Sequence, residues 1–181
     1  MKSFQVHDMD SAPADSKPLL QESLSANGMI PNLYGVMAEA PMALQAYQTM
    51  NELFLNTSFS VEEKTVIWQS INMEHGCHYC VPAHSAIAKS MQVDDSLNQA
   101  LREGDPMPNE KLQALRDTTL ALVRDRGLVE DAVLEHFYQA GYGKQQLLEI
   151  IVGISQKVMS NYINHLADTP VDEAFKPFVK K

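Results

Sequence analysis

Apolar residues recur along most of this chain at three- and four-residue intervals, the spacing of one helix face. Pro41 fits a first helical turn and is followed by Met42, Leu44, Ala46, Tyr47, Met50, Leu53 and Phe54. Ser60 and Glu63 form an S-x-x-E capping box that opens a helix carrying Val61, Val66, Ile67, Ile71 and Met73, broken or kinked at Gly76. A helix from Cys77 to Met91 accommodates Pro82 in its first turn. Asp94 or Asp95 caps a short helix ending near Gly104, and DPMP is a loop. Asn109 to Arg126 carries the stripe Leu112, Leu115, Thr119, Leu122 and Val123, stopped by Gly127. A helix from Glu130 to Ala140 ends at the GYG turn. The last long helix runs from Lys144 to about Ala167, with Leu147, Ile150, Ile151, Ile154, Val158 and Tyr162 expected inward. No segment shows a convincing strand pattern, G-x-G-x-x-G or P-loop, so the expected fold class is all-α.

Residues 1–18 break the pattern. They are polar and aperiodic, with Pro13, Pro18 and three aspartates, and read as an N-terminal arm outside the core. Gly28 and Pro31 mark a turn before the apolar stretch Leu33 to Met37. Residues 19–181 then form a single helical domain, consistent with 181 residues, 45% of them hydrophobic.

A formal net charge of −9, with basic residues scattered singly, argues against nucleic acid and against an anionic membrane surface as partners. No apolar run approaches the ~18–20 residues of a membrane span. The N-terminus has no apolar stretch of a secretory signal, so a cytoplasmic location is expected. The two cysteines, Cys77 and Cys80, are too few for a disulfide framework. In a reducing compartment such a close pair points to redox or metal chemistry.

That pair lies in Glu74-His75-Gly76-Cys77-His78-Tyr79-Cys80-Val81-Pro82-Ala83-His84. Cysteines at i and i+3 in a first helical turn lie within disulfide reach. The free amides and positive dipole end there favour a thiolate. His84, four residues after Cys80, shares that face and can take a thiol proton. Zinc is the rival, with Cys77, Cys80, His84 and either His75 or His78 as ligands, although four ligands from one turn are awkward geometrically. Inert packing of two small residues is the plain alternative.

The string CHYCVPAHSAIA resembles the C-x-x-C-x-x-x-H signature of the carboxymuconolactone decarboxylase and alkylhydroperoxidase D (AhpD-like) family. GMIPNLYGVMAEAP upstream and AGYGKQQLLEIIVGISQKVMSNYINHLADTPVD downstream resemble that family's opening and closing segments, so the likeness runs from about Gly28 to Asp172. It implies a helical subunit assembling as a homotrimer or homohexamer. It also implies a thiol-dependent peroxidase or disulfide reductase acting on an organic hydroperoxide or hydrogen peroxide. Cys80 would attack and become a sulfenic acid, Cys77 would close the disulfide, and a thiol reductant protein or small dithiol would reopen it. His84 would be the base toward Cys80, and the cycle needs no haem, flavin or metal cofactor.

AhpD carries a relay glutamate twelve residues before its first cysteine, where this chain has Thr65. Glu74 is the candidate replacement, a carboxylate that would orient His84 and raise its basicity; Glu62 and Glu63 are alternatives. Tyr79 is a candidate for binding peroxide or relaying a proton, or else a packing residue. Trp68 reads as core or interface, the methionines as packing, His75 and His78 as surface residues, and His165 as an interface or hydrogen-bonded histidine. The other readings are a decarboxylase-like lyase, as in cysteine-free members, and a non-enzymatic redox-sensing or metal-binding module.

Overall fold

A computed structural model describes residues 4–180, and every regular element among them is helical. Nine α-helices follow one another: α1 Lys17–Asn27, α2 Asn32–Met37, α3 Pro41–Leu55, α4 Val61–Glu74, α5 Cys80–Ser90, α6 Asp95–Glu103, α7 Glu110–Arg124, α8 Asp131–Gln139 and α9 Lys144–Ala167. None is long and apolar enough to cross a membrane.

Local chemistry sets most boundaries. Ser60 accepts from the Glu63 amide while the Glu63 carboxylate accepts from the Ser60 amide, the expected capping box. Asp94 and Asn109 cap α6 and α7 through their side-chain oxygens. The cysteine segment differs from expectation. The helix begins at Cys80, and Cys77 lies in the preceding turn, its amide bonded to the Asn72 carbonyl at 3.0 Å. Pro82, whose missing N–H costs nothing in a first turn, is thereby still accommodated.

Helix α4 is the hub. Every residue from Glu63 to Asn72 is buried, because α5, α6, α7 and α9 surround it. Phe54, Ile67, Ile71, Leu115, Phe137 and Ile150 centre one apolar cluster. Leu20, Leu33, Met37, Leu44 and Tyr47 build a second, which also encloses Cys77, Tyr79 and Cys80. Helix α9 crosses both, and Gly153 makes its close approach possible. A Cβ there would lie 2.6 Å from the Phe54 ring and 3.1 Å from Ile67 Cγ2.

Two expectations are corrected. Residues 4–16 are not a detached arm: Ala12, Ser16 and His7 are buried, the His7 amide donates to the Gly35 carbonyl at 3.1 Å, and Ser16 Oγ donates to the Ala38 carbonyl at 2.6 Å. One backbone amide and one serine hydroxyl here satisfy carbonyls at the end of α2, contacts that the lack of apolar periodicity concealed. Helix α9 keeps the expected face over its first half, where Leu147, Ile150 and Ile154 pack in the core, but not over its second. Ile150 is buried, but Ile151 and Tyr162 are exposed, and the inward side is Gln156, Lys157, Ser160, Asn161 and Asn164. That side faces thiols and amides, where hydrogen-bonding groups are required and aliphatic ones would orphan their partners.

Candidate active site

Cys80 sits on the first residue of α5, against the inward face of α9. Asn164 Nδ2 donates to Cys80 Sγ at 3.2 Å, and Ser160 Oγ lies 3.9 Å from the sulfur. The Cys80 amide, one of the helix's free first-turn donors, points at Cys77 Sγ at 3.2 Å. The sulfurs are unbonded, with Cys77 fully buried and Cys80 only 2% exposed.

The two thiols are driven apart in acidity. Burial pushes Cys80 up, but a hydrogen bond from the Cys77 thiol, the nearby Lys157 cation and the Asn161 and Asn164 side chains outweigh it and leave Cys80 well below the ordinary thiol range. Cys77 moves upward, because it gives its proton in that hydrogen bond and is buried. The two shifts run in opposite directions, with Cys80 on the more acidic side.

His84 is buried beneath Trp68, the ring centroids 4.8 Å apart. Its Nε2 lies 2.7 Å from Lys157 Nζ, whereas its hydrogen bonds do not include Cys80. Burial and the adjacent cation both hold the imidazole pKa well below its usual value. Lys157 itself is fully buried, and burial lowers its pKa while Cys80 and Cys77 raise it. Among the described residues no carboxylate forms an ion pair with it.

The other candidates are dispersed. Glu74 is gripped by Arg124, with Nε and a terminal nitrogen at 2.9 and 2.7 Å, so it neither touches nor orients His84. Thr65 bonds back to the Val61 carbonyl. Glu63 accepts from Tyr142 and pairs with Lys111, and Glu62 accepts from Ser60. The Tyr79 hydroxyl donates to Asp172 at 2.6 Å and accepts from the Leu33 amide at 3.3 Å. His78 contacts the Thr169 carbonyl, so both residues between the cysteines hold the C-terminal segment. His75, expected at the surface, is half-buried and bonds Asn161 at 2.8 Å; His165 is exposed. With these histidines engaged elsewhere, the zinc set does not assemble. Among the described residues no group of three or more His, Cys, Asp or Glu side chains is placed to hold a metal ion.

A cleft of about 510 Å³ opens above the cysteine, with Cys80, His84 and Lys157 among its walls and Leu33, Tyr47, Trp68, Ile87 and Phe175 as much of the remainder. Sequence reasoning missed Lys157 and its neighbours. The signal was present: Lys157, Ser160, Asn161 and Asn164 recur at i, i+3, i+4 and i+7 in an otherwise apolar helix.

No family model matches the chain, and no curated protein matches its sequence. Solved structures do match. An uncharacterized peroxidase-related protein from Ralstonia eutropha JMP134, described as an alkylhydroperoxidase AhpD core, superposes with a TM-score of 0.84 at 17% identity, covering 97% of this chain and 96% of its own. A peroxidase-related protein from Silicibacter sp. TM1040 gives 0.80 at 19% identity, with 96% and 95% covered. The debrominase Bmp8, in a cysteine-to-alanine variant complexed with 2,3,4-tribromopyrrole, gives 0.82 at 18% identity, with 98% and 96% covered. These likenesses span nearly the whole of each chain, and they give this protein the AhpD-like helical fold.

Proposed function

We propose that this protein is a thiol-dependent oxidoreductase in which Cys80 reduces an organic hydroperoxide or hydrogen peroxide and Cys77 resolves the product. One observation carries the reading: two buried, unbonded cysteines three residues apart, the Cys80 amide 3.2 Å from Cys77 Sγ, with Cys80 at the wall of a largely apolar cleft. The Cys80 thiolate attacks one peroxide oxygen, breaking the O–O bond and forming a sulfenic acid. Cys77 attacks that sulfur, expelling water and leaving a disulfide, which a dithiol protein or small dithiol reduces. His84 acts through Lys157, its hydrogen-bonded neighbour, and Tyr79 anchors the tail. The cytoplasm, where reducing thiols are abundant, suits such a cycle. The outward residues Leu148, Ile151, Tyr162 and Leu166 of α9 provide an apolar face for a homotrimer or homohexamer.

The test is a thiol count with peptide mapping before and after one equivalent of cumene hydroperoxide. Loss of both thiols to a Cys77–Cys80 linkage that dithiothreitol reverses is expected, and Cys80→Ser abolishes it. Two thiols that stay free would refute the reading; lyase activity surviving in the double serine variant would replace it.

A second reading rests on the debrominase that shares the fold and on the aromatic lining of the cleft, Tyr34, Tyr47, Trp68 and Phe175. In it the dithiol reduces a brominated ring, with the ring gaining hydrogen, bromide leaving and the same disulfide forming. Bromide release from a bromopyrrole, in step with thiol loss, selects this reading.

A further inference from the structure

We infer that Lys157, rather than His84, takes the proton of Cys80 and delivers it to the oxygen that leaves when the thiolate breaks the peroxide bond. The inference deepens the peroxidase reading and rests on it. Its basis is placement. Lys157 is completely buried, shares the cleft wall with Cys80 and His84, and lies one turn from Ser160 and two from Asn164, the residues that contact the Cys80 sulfur.

The hydrogen-bond chemistry of the pair excludes the simpler assignment. An ammonium group has three donors and no acceptor. Facing an ammonium at 2.7 Å, His84 Nε2 accepts, so in that state its lone pair is committed to the lysine and the imidazole proton resides on Nδ1. That Nδ1 has no hydrogen-bond partner among the protein groups. His84 is thus a fixed acceptor that aims the ammonium. The ionisable groups packed around the cation are Cys80 and His84 on α5, Cys77 in the preceding turn and Tyr47 on α3. Further out, Tyr79 is bound to Asp172 and His75 to Asn161. Of these, Cys80 is the anion that acts on the lysine. A buried thiolate and a buried ammonium form a neutral unit, which an apolar cleft tolerates far better than either charge alone.

The proton count then closes within the site. At the start Cys80 is a thiolate, Cys77 a thiol and Lys157 an ammonium. The thiolate attacks ROOH, the S–O bond forms as the O–O bond breaks, and the departing RO⁻ takes a proton from Lys157, giving ROH and the Cys80 sulfenic acid. Cys77 attacks the sulfenic sulfur; the S–S bond forms, and the departing hydroxide leaves as water with the Cys77 proton. Lys157 is now a neutral amine. Reduction by a dithiol returns two protons, one to Cys77 and one through Cys80 to Lys157. The sum is ROOH plus dithiol to ROH, water and disulfide.

The experiment compares Lys157→Met, which removes charge and proton, with Lys157→Arg, which keeps a charge that guanidinium does not surrender as a proton. Two readouts are used: the pH profile of iodoacetamide alkylation at Cys80 by mass spectrometry, and the single-turnover rate of Cys77–Cys80 disulfide formation with cumene hydroperoxide at pH 7. In Lys157→Met the alkylation midpoint should rise by about 2 pH units. Its peroxide step should slow by roughly 100-fold or more. In Lys157→Arg the midpoint should stay low while the peroxide step remains at least about 10-fold slow. A midpoint unmoved in Lys157→Met overturns the proton-acceptor role, and a full peroxide rate in Lys157→Arg overturns the donor role. Circular dichroism checks folding, and Lys157→Gln replaces the methionine variant if that chain does not fold. Wild-type protein that alkylates at low pH yet never forms the disulfide would fail the peroxidase reading and the donor role with it, while leaving the acceptor role standing.

Discussion

Replacing Tyr79 by Phe separates an anchoring role from a chemical one at the residue beside Cys80, the proposed nucleophile. The ring stays, still edge-on to Phe175 at 6.1 Å between centroids, so apolar burial is nearly unchanged. What disappears is the 2.6 Å hydrogen bond to Asp172 and the acceptor for the Leu33 amide at 3.3 Å. A hydrogen bond to a charged carboxylate is worth about 1.5–3 kcal/mol net, and a buried amide left without a partner costs about 1–3 kcal/mol. The Leu33 contact is long, and Asp172 retains the Asn32 amide at 3.1 Å, so the lower part of the summed range applies. We expect a loss of about 2.5–3.5 kcal/mol. That is a large share of the roughly 5–15 kcal/mol typical of a domain. Urea unfolding followed by circular dichroism reads it, and a cycle with Asp172→Asn should return a coupling of about 1–2 kcal/mol. Alkylation of Cys80 by iodoacetamide should stay within about twofold of wild type, since the thiolate is held by α9 and not by this hydroxyl. A stability change below about 0.5 kcal/mol, or Cys80 reactivity down tenfold in a folded variant, would refute the anchoring argument.

Glu74→Gln should leave peroxide turnover within about twofold and cost under roughly 1 kcal/mol, because its partner Arg124 is largely exposed; both are read by kinetics and urea melts. Gly35→Ala should lower stability by about 1–3 kcal/mol, since the new Cβ would sit 2.7 Å from the His7 carbonyl oxygen and displace residues 4–16; faster amide hydrogen exchange in that segment, read by mass spectrometry, reports it. Cys80 should be alkylated well before Cys77, and its reactivity should persist below pH 8.5, the ordinary thiol midpoint, because its folded pKa is lowered and that of Cys77 raised. His84 is held neutral in the folded chain, so only the unfolded chain binds its proton as pH falls through about 6.5. Folding stability should then decline by up to about 1.4 kcal/mol per pH unit below that point, and the slope should vanish relative to wild type in His84→Asn.

Local signals made the helices legible. Capping side chains at Ser60, Asp94 and Asn109 act within three residues of themselves, so their effect can be read without tertiary context. Helix α1 was not expected: its stripe is short, with Leu20 and Ser23 buried and Leu24 exposed. The position of the cysteine pair was evident from its spacing, but its partners were not. Proximity along the chain favoured Glu74 and His84, whereas the groups that touch Cys80 come from a helix some eighty residues later. Hydrophobicity placed Leu147, Ile150 and Ile154 correctly but failed over the second half of α9, because the criterion that apolar residues turn inward fails where the interior offers sulfur, amide and imidazole to be satisfied.

The amides on that helix have a mechanical consequence. Asn98, Gln69, Asn72, Asn161 and His75 form a continuous run of side-chain hydrogen bonds across α6, α4, α9 and the turn after α4. Two greasy helix faces can slip past one another by a turn, about 5.4 Å, and find nearly equivalent packing. An amide ladder has no second register, since each donor meets an acceptor at one offset only. Helix α9 is therefore keyed like a bolt in its lock, and Asn164 is delivered to the sulfur and Lys157 to His84 at a single setting.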